Sequence, residues 1–488
     1  MTNSRKSVVV AAFAAVFSLA GRAAADDPVG YNALSSRPGA LLAKGAGLPI
    51  AQVEAFAPGT TNYAPDTTSP DFAAKTFTLR SGPSGVSPHA SEVATYFYGA
   101  AFSADRGAAP VALFSAESFV YDLLRTGKSR RAPGGAGASV VNNSWITTLT
   151  DDATNVDAVR RLDDLVNRDD VLVFNAVSNT ASDPFPRLLA SSFNGVTVGT
   201  LTGSHGPLTF DSSHPRIKPD VVIDTPQTSD ASAFAAGAGA LLRSEAQARG
   251  LPAGELATKA ILMAGAKRDA SWHRGGLSGR DNAISPLDLQ QGAGQLRVDN
   301  SFDILTAGQK PAGTSVSPTA GWDYARTPRR KGRATYYLHV DHDLSNWSVF
   351  LTWNRLIAGL NSKGHYSTEP TLADFSLSLY RNRKGGRRLV GTSDSPGDNV
   401  ESLTLTDLAP GDYQLVLGTD IRSYYALAWY EEGASASPAI TRALAGQSDP
   451  FQTSATFDAA PMPEPSTFGV LAFAVLFGSG RPRRRSLE

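Results

Sequence analysis

Cysteine is absent from the 488 residues, so the chain has no disulfide to form and no thiol to offer in an oxidising compartment. Stability must then come from a core or from bound ions. An excess of either charge is lacking too. Lys+Arg and Asp+Glu number 45 each, which removes the net field that would argue for a nucleic acid or a membrane surface as partner. A long apolar run is also missing, because the stretch 468–480 falls short of the roughly 20 residues that cross a bilayer unaided. What remains is a neutral globular chain, long enough for two or three domains.

Both ends carry addresses. Arg5 and Lys6 precede the apolar run 8–20, and Ala23 and Ala25 hold the small-residue cleavage positions. This predicts a signal peptide over 1–25 and a mature chain from Asp26. At the other end, Pro463-Glu464-Pro465, the apolar run 468–480 and the cluster Arg481, Arg483, Arg484, Arg485 follow one another. That order resembles the PEP-CTERM sorting signal. The resemblance implies exosortase-type sorting machinery at the membrane of a Gram-negative bacterium, removal of the tail, and a destination at the cell surface or in the extracellular matrix. A plain tail anchor with positive-inside arginines is the alternative.

Between the ends, short apolar runs alternate with helical patterns. GLPIAQVEAF (47–56) reads as a buried strand ending in Glu54, and PHASEVATYFYG (88–99) as a helix headed by His89. A strand follows at 107–119. SVVNNSWI (139–146), VLVFNAVSN (171–179) and GVTVGT (195–200) are further strands, and the acidic start and apolar stripe of 151–168 mark an amphipathic helix. Such alternation predicts an α/β domain with a doubly wound, mostly parallel sheet. In such sheets ligands bind at the carboxyl edge, where Asn179 ends its strand. In TSDASAFAAGAGALL (228–242), Ser229 stands where a polar segment gives way to small residues and a helix. From this segment alone, a serine N-cap and a nucleophile at a helix N-terminus are both open.

The order of these segments resembles the subtilase (subtilisin-like) family of serine proteases. Ser229 with Gly237 eight positions on resembles its nucleophile motif, although Gln227 and Ala233 stand where the family has Gly and Pro. The helix at His89 resembles its histidine motif, with Ala90 and Glu92 as departures. Glu54 occupies the place of the family's Asp, and Asn179, after Ser178 instead of Gly, that of its oxyanion asparagine. RIKPDVVI (216–223) resembles the strand leading to the nucleophile, with Pro219 and Asp220 in structural roles. The resemblance, covering about 44–305, implies a subtilisin-like serine-type endopeptidase. Its catalytic residues are Glu54, His89 and Ser229, its oxyanion donor is Asn179, and Ser144 and Trp145 line the substrate cleft. It implies a protein or peptide substrate and no cofactor. The segment 26–48 is too short for the folded inhibitory prodomain usual in such enzymes, and the mature N-terminal segment is placed at 26–43.

Past the domain at 44–306, the Pro-, Gly-, Ser- and Thr-rich stretch 307–330 reads as a linker. Period-two runs over 331–433 then predict an antiparallel β-sandwich, a spacer follows at 434–460, and the sorting tail occupies 461–488. His339 and His342 are too poorly aligned on a strand to argue for a metal. Trp347, Trp353 and Trp429 fit either a carbohydrate surface or core packing, with packing favoured. Three other readings compete with the endopeptidase. They are a degenerate subtilase fold that binds without cleaving, a sedolisin-like acid protease, and a surface protein whose β-domain binds polysaccharide.

Overall fold

Runs of Val, Ile and Ala without alternating polar residues make strands that are covered on both faces. Seven strands form one parallel sheet, buried on both faces except at the exposed edge strand β2: β1 (Ile50–Glu54), β2 (Lys75–Leu79), β3 (Ala109–Ser115), β4 (Val140–Asn143), β5 (Leu172–Ala176), β6 (Val196–Thr200) and β7 (Val221–Ile223). Their order is β2-β3-β1-β4-β5-β6-β7. The computed structural model describes residues 27–433, apart from 129, 150, 184, 186–187, 207–215, 276–280, 282–283, 329–331 and 362–364. The signal peptide, spacer and sorting tail expected from the sequence lie outside the described residues.

Seven α-helices accompany the sheet among the described residues: α1 (Tyr31–Ser35), α2 (Pro88–Tyr98), α3 (Ala116–Ser118), α4 (Asp152–Asp169), α5 (Thr228–Ala248), α6 (Glu255–Ala264) and α7 (Val298–Thr306). One face of the sheet shares a core with α2, α5, α6 and α7, and the other is covered by α3 and α4. The sheet is therefore doubly wound, as the alternation predicts. Sequence sets the helix ends. Ser87 accepts from the Ala90 N–H with Pro88 at the first helical position, and Asp151 accepts from the Thr154 N–H at 2.8 Å.

α5 lies directly on the sheet because its residues are small. A Cβ at Gly239 would stand 2.8 Å from both Leu172 and Phe174. The chain reverses its winding at β1, which sits between β3 and β4. A crevice opens at the carboxyl ends of such strands, and Glu54 is the last residue of β1.

The remaining strands are β8 (Ser315–Val316), β9 (Ala320–Arg326), β10 (Arg333–Val340), β11 (Leu344–Thr352), β12 (Leu356–Leu360), β13 (Tyr366–Thr371), β14 (Phe375–Arg383), β15 (Gly386–Ser393), β16 (Val400–Leu408), β17 (Gly411–Thr419) and β18 (Tyr424–Glu431). Two sheets, β15-β14-β17-β10-β8 and β16-β11-β18-β9, make the sandwich, and β12 and β13 form a separate hairpin. Pairing is antiparallel except between β8 and β10. Trp347, Trp353 and Trp429 are fully buried in its core, which removes them from any carbohydrate face.

The stretch 307–330 differs from the linker expected of its composition. It carries β8 and β9, and β9 brings Trp322 into the same core as α6 and α7. The Trp322 indole donates to the Leu305 carbonyl at 3.0 Å, and Ser348 Oγ to the Ala264 carbonyl at 3.0 Å. Phe350, Ala426, Ala428 and Tyr430 join that core from β11 and β18. The Pro, Gly, Ser and Thr residues of the stretch hide one strand inside it.

Candidate active site

Glu54 is 1% exposed at the end of β1, and an isolated carboxylate so deep is costly unless it is paired. Two partners face it. The His89 ring places Nδ1 2.9 Å from Oε2, and Gln52 Nε2 donates to Oε1 at 3.0 Å. Gln52 sits two residues earlier on the same strand, hence on the same face. It is held in turn, donating also to the Ala90 carbonyl at 2.9 Å and accepting from the Tyr98 hydroxyl at 2.5 Å. Ala90 and Tyr98 belong to α2, so this chain of bonds locks the histidine helix to β1.

Burial disfavours the charged form of His89, but the Glu54 carboxylate at contact distance outweighs it. With help from Asp230 and Glu92, the imidazole pKa rises to about 9. The ring keeps one edge open, its side chain being 39% exposed.

Ser229 is the second residue of α5, whose N-cap position belongs to Gln227, so the serine is not the cap. The capping acceptor comes from a distant segment. Asn179 Oδ1 accepts from the Thr228 N–H at 2.7 Å and from Thr228 Oγ1 at 2.9 Å. A backbone N–H only donates, so the Asn179 oxygen must face it and the amide nitrogen must turn the other way, on an exposed residue. Asn179 lies three residues beyond β5, in the loop rather than at the strand end.

The first turn of α5 is also fixed from below. Ser144 Oγ donates to the Ser229 carbonyl at 2.8 Å and accepts from Asn142 Nδ2 at 2.8 Å, and Ser232 Oγ donates to Asn142 Oδ1 at 2.7 Å. α2 and α5 pack side by side, with Tyr96 and Phe234 stacked at 4.7 Å. Ser229 is 6% exposed. Its N–H belongs to the helix start, where no intrahelical acceptor exists.

The structure thus brings Glu54 and His89 into direct contact and sets Ser229 and Asn179 together through Thr228. Among the described residues no hydrogen bond joins Ser229 Oγ to His89, a contact that is commonly loose in unliganded sites. Ser144 and Trp145, expected to line the cleft where substrate backbone adds as a strand, are 3% and 9% exposed, and their side chains are engaged within the protein. The Ser144 hydroxyl is spent on Ser229, and Trp145 packs with Leu149 and α4. The motif residue Ser178 is likewise occupied, donating to Asp183 Oδ2 at 2.5 Å. Asp220, read as structural, is buried where it accepts from the Thr197 N–H and pairs with Lys218, both at 2.6 Å.

Sequence reasoning missed Gln52, Tyr98 and Thr228. A glutamine inside an apolar strand, two residues before the carboxylate, was the available signal. Tyr98 had none, because its reach depends on how α2 crosses β1.

No family model and no curated protein matches the chain. Among solved structures it is similar to the prenylagaramide maturation protease PagA, with 17% identity over 56% of this chain and 98% of that one and a TM-score of 0.37. Fervidolysin from Fervidobacterium pennivorans, a keratinolytic enzyme related to subtilisin, aligns at 12% identity over 75% of this chain and 67% of its own, with a TM-score of 0.35. The pre-peptidase C-terminal domain of a Bacillus anthracis collagenase aligns at 12% identity with 25% of this chain and 99% of its own, at a TM-score of 0.17. The chemistry of this chain is read from its own side chains.

Proposed function

We propose that this protein is a serine endopeptidase that cleaves a protein or peptide through an acyl-enzyme on Ser229. The observation that carries the reading is the 2.9 Å contact between His89 Nδ1 and Glu54 Oε2, on a helix packed against the one whose second residue is Ser229. A carboxylate on Nδ1 fixes the tautomer that leaves Nε2 as base and stabilises the imidazolium that forms.

In the proposed reaction Ser229 Oγ attacks the scissile carbonyl carbon while His89 Nε2 takes the hydroxyl proton. Asn179 Nδ2 and the Ser229 N–H donate to the oxygen on which charge develops. The C–N bond then breaks, with His89 returning the proton to the leaving amine. Water repeats the sequence on the ester and frees Ser229. Substrate binding closes the gap between Ser229 and His89, and none of these steps draws on a cofactor. The expected signal peptide and sorting tail assign this activity to the cell surface or the extracellular matrix.

A fluorophosphonate probe tests the reading. Covalent labelling of the folded chain that disappears in Ser229→Ala is the expected result. Absence of labelling in folded wild-type protein overturns it and leaves a non-cleaving binder on the same fold.

A further inference from the structure

The amino ends of the strands, opposite Glu54, open on a cavity of about 540 Å³. Leu48 and Ser139, just before β1 and β4, line its floor, and Tyr324 of β9 and Tyr424 of β18 stand on the sandwich side. Nothing in the proposed peptidase chemistry uses it.

Its buried polar groups are unbalanced. Glu255 and Asn354 line it and are 4% and 5% exposed. Asn354 Nδ2 donates to Glu255 Oε1 at 2.5 Å, yet Glu255 Oε2 and Asn354 Oδ1 have no partner among the described residues. Both orphans are oxygens, and an amide oxygen can only accept. The neighbouring cationic donors are committed elsewhere. Arg243 pairs with Asp170 at 2.8 Å, and Lys259 donates to the Phe193 and Gly195 carbonyls at 2.8 and 3.1 Å. The first N–H of α6, on Glu255, already donates to Asp170 Oδ1 at 2.7 Å.

Aromatic faces complete the lining. Tyr324 and Tyr424 stack at 5.7 Å with their planes 13° apart, and Arg326 lies 5.1 Å from the Tyr424 ring centre. This pair thus already takes one cation on a ring face.

We propose that the cavity is a binding site for a compact organic cation, an alkylammonium or guanidinium group of the kind that ends a Lys or Arg side chain. Its N–H groups supply the donors that Glu255 Oε2 and Asn354 Oδ1 lack, and its charge and stem lie against Tyr324 and Tyr424. The groups facing Glu255 are Asp170 at the end of α4, Arg243 of α5, Lys259 of α6, Tyr324 of β9 and Asn354 after β11. Burial pushes the Glu255 carboxyl up to about 8, so a bound cation draws it into its ionised form and a proton is released.

Titration calorimetry of the full chain with butylguanidinium, against the neutral isostere N-butylurea, tests the proposal. The guanidinium is expected to bind at least tenfold more tightly, and more tightly at pH 9 than at pH 6.5. Glu255→Gln preserves shape and the Asn354 contact, and is expected to abolish that preference. Tyr424→Ala changes a half-exposed residue, is expected to fold normally, and should weaken binding about threefold. A peptide with one arginine, compared with its citrulline form, tells whether the cation is carried on a chain or arrives free. Equal binding of the two small probes, no binding of either, or an unchanged preference in Glu255→Gln overturns the proposal. If that variant does not fold, the two probes on wild type and the Tyr424→Ala comparison decide.

Discussion

His89 Nδ1 and Glu54 Oε2 stand 2.9 Å apart although the residues are 35 positions apart in the chain. A glutamate reaches one methylene further than an aspartate, and this one is accommodated because Gln52 pins its second oxygen from the same strand. The contact sets the charge of the ring, and the first prediction rests on it.

The base in the proposed reaction is the neutral imidazole, and the His89 pKa is raised to about 9. The rate constant kcat/KM is therefore expected to climb with pH and reach half its plateau near pH 9. Stability runs the other way. The His89–Glu54 contribution is fully present below the ordinary value of 6.5 and is lost as pH rises through about 9. Glu54→Gln should move the midpoint back toward 6.5 and lower activity roughly 10³- to 10⁴-fold, the size expected when the orienting carboxylate is lost. A pH–rate profile of both proteins checks this; an unshifted midpoint contradicts it.

Asn179→Asp separates two duties of one side chain. The aspartate keeps an oxygen for Thr228 and removes the donating amide, so the thermal midpoint is expected to hold while turnover falls. Loss of one oxyanion donor costs roughly 10²- to 10³-fold in kcat, a magnitude known from subtilisin. Asn179→Ala should lose the same turnover and also about 1 kcal/mol of stability, because the Thr228 N–H loses its cap. Equal activity of Asn179→Asp and wild type would remove the residue from the reaction.

Tyr98→Phe deletes only the hydroxyl that Gln52 accepts. An unsatisfied buried acceptor costs about 1–3 kcal/mol. With Gln52 freer to rotate, the Glu54–His89 pair loosens, so kcat should drop about tenfold with KM nearly unchanged and the pH midpoint displaced. A fall in stability with an untouched pH profile would reduce Tyr98 to a packing role.

Gly237→Ala introduces a methyl 2.7 Å from Ser103 Oγ and 2.8 Å from the Phe97 carbonyl. Neither helix can retreat without opening the interface on which His89 and Ser229 depend. Chemical denaturation should record a loss of about 1–3 kcal/mol, the usual cost of overpacking. Gly250→Ala, where no atom lies within 4 Å, is the comparison for strain from its positive φ of 64° alone.

The buried strands and the small-residue helix of the α/β half were legible because burial on both faces leaves an unmixed apolar signature. Glu54, His89, Asn179 and Ser229 were singled out by their order along the chain, and the fold brings Glu54 to His89 and Asn179 to Thr228 beside Ser229. The burial of the Ser144 and Trp145 side chains was not legible, since it depends on where α5 and α4 sit against the sheet. β9 was hidden for another reason: Trp322 and Tyr324 make an apolar strand within a stretch whose Pro and Gly content reads as irregular. The orphan oxygens of Glu255 and Asn354 come from segments 99 residues apart and exist only as a spatial relation.

Trp322 and the strands that follow it have a consequence for the order of synthesis. Glu54 and His89 are made early, but the wall that finishes their half of the molecule, β18, ends at Glu431. Until that strand is made, α6 and α7 lack part of the apolar cover that β18 gives them. The α/β half of a chain built this way is closed only by strands that come after its last helix.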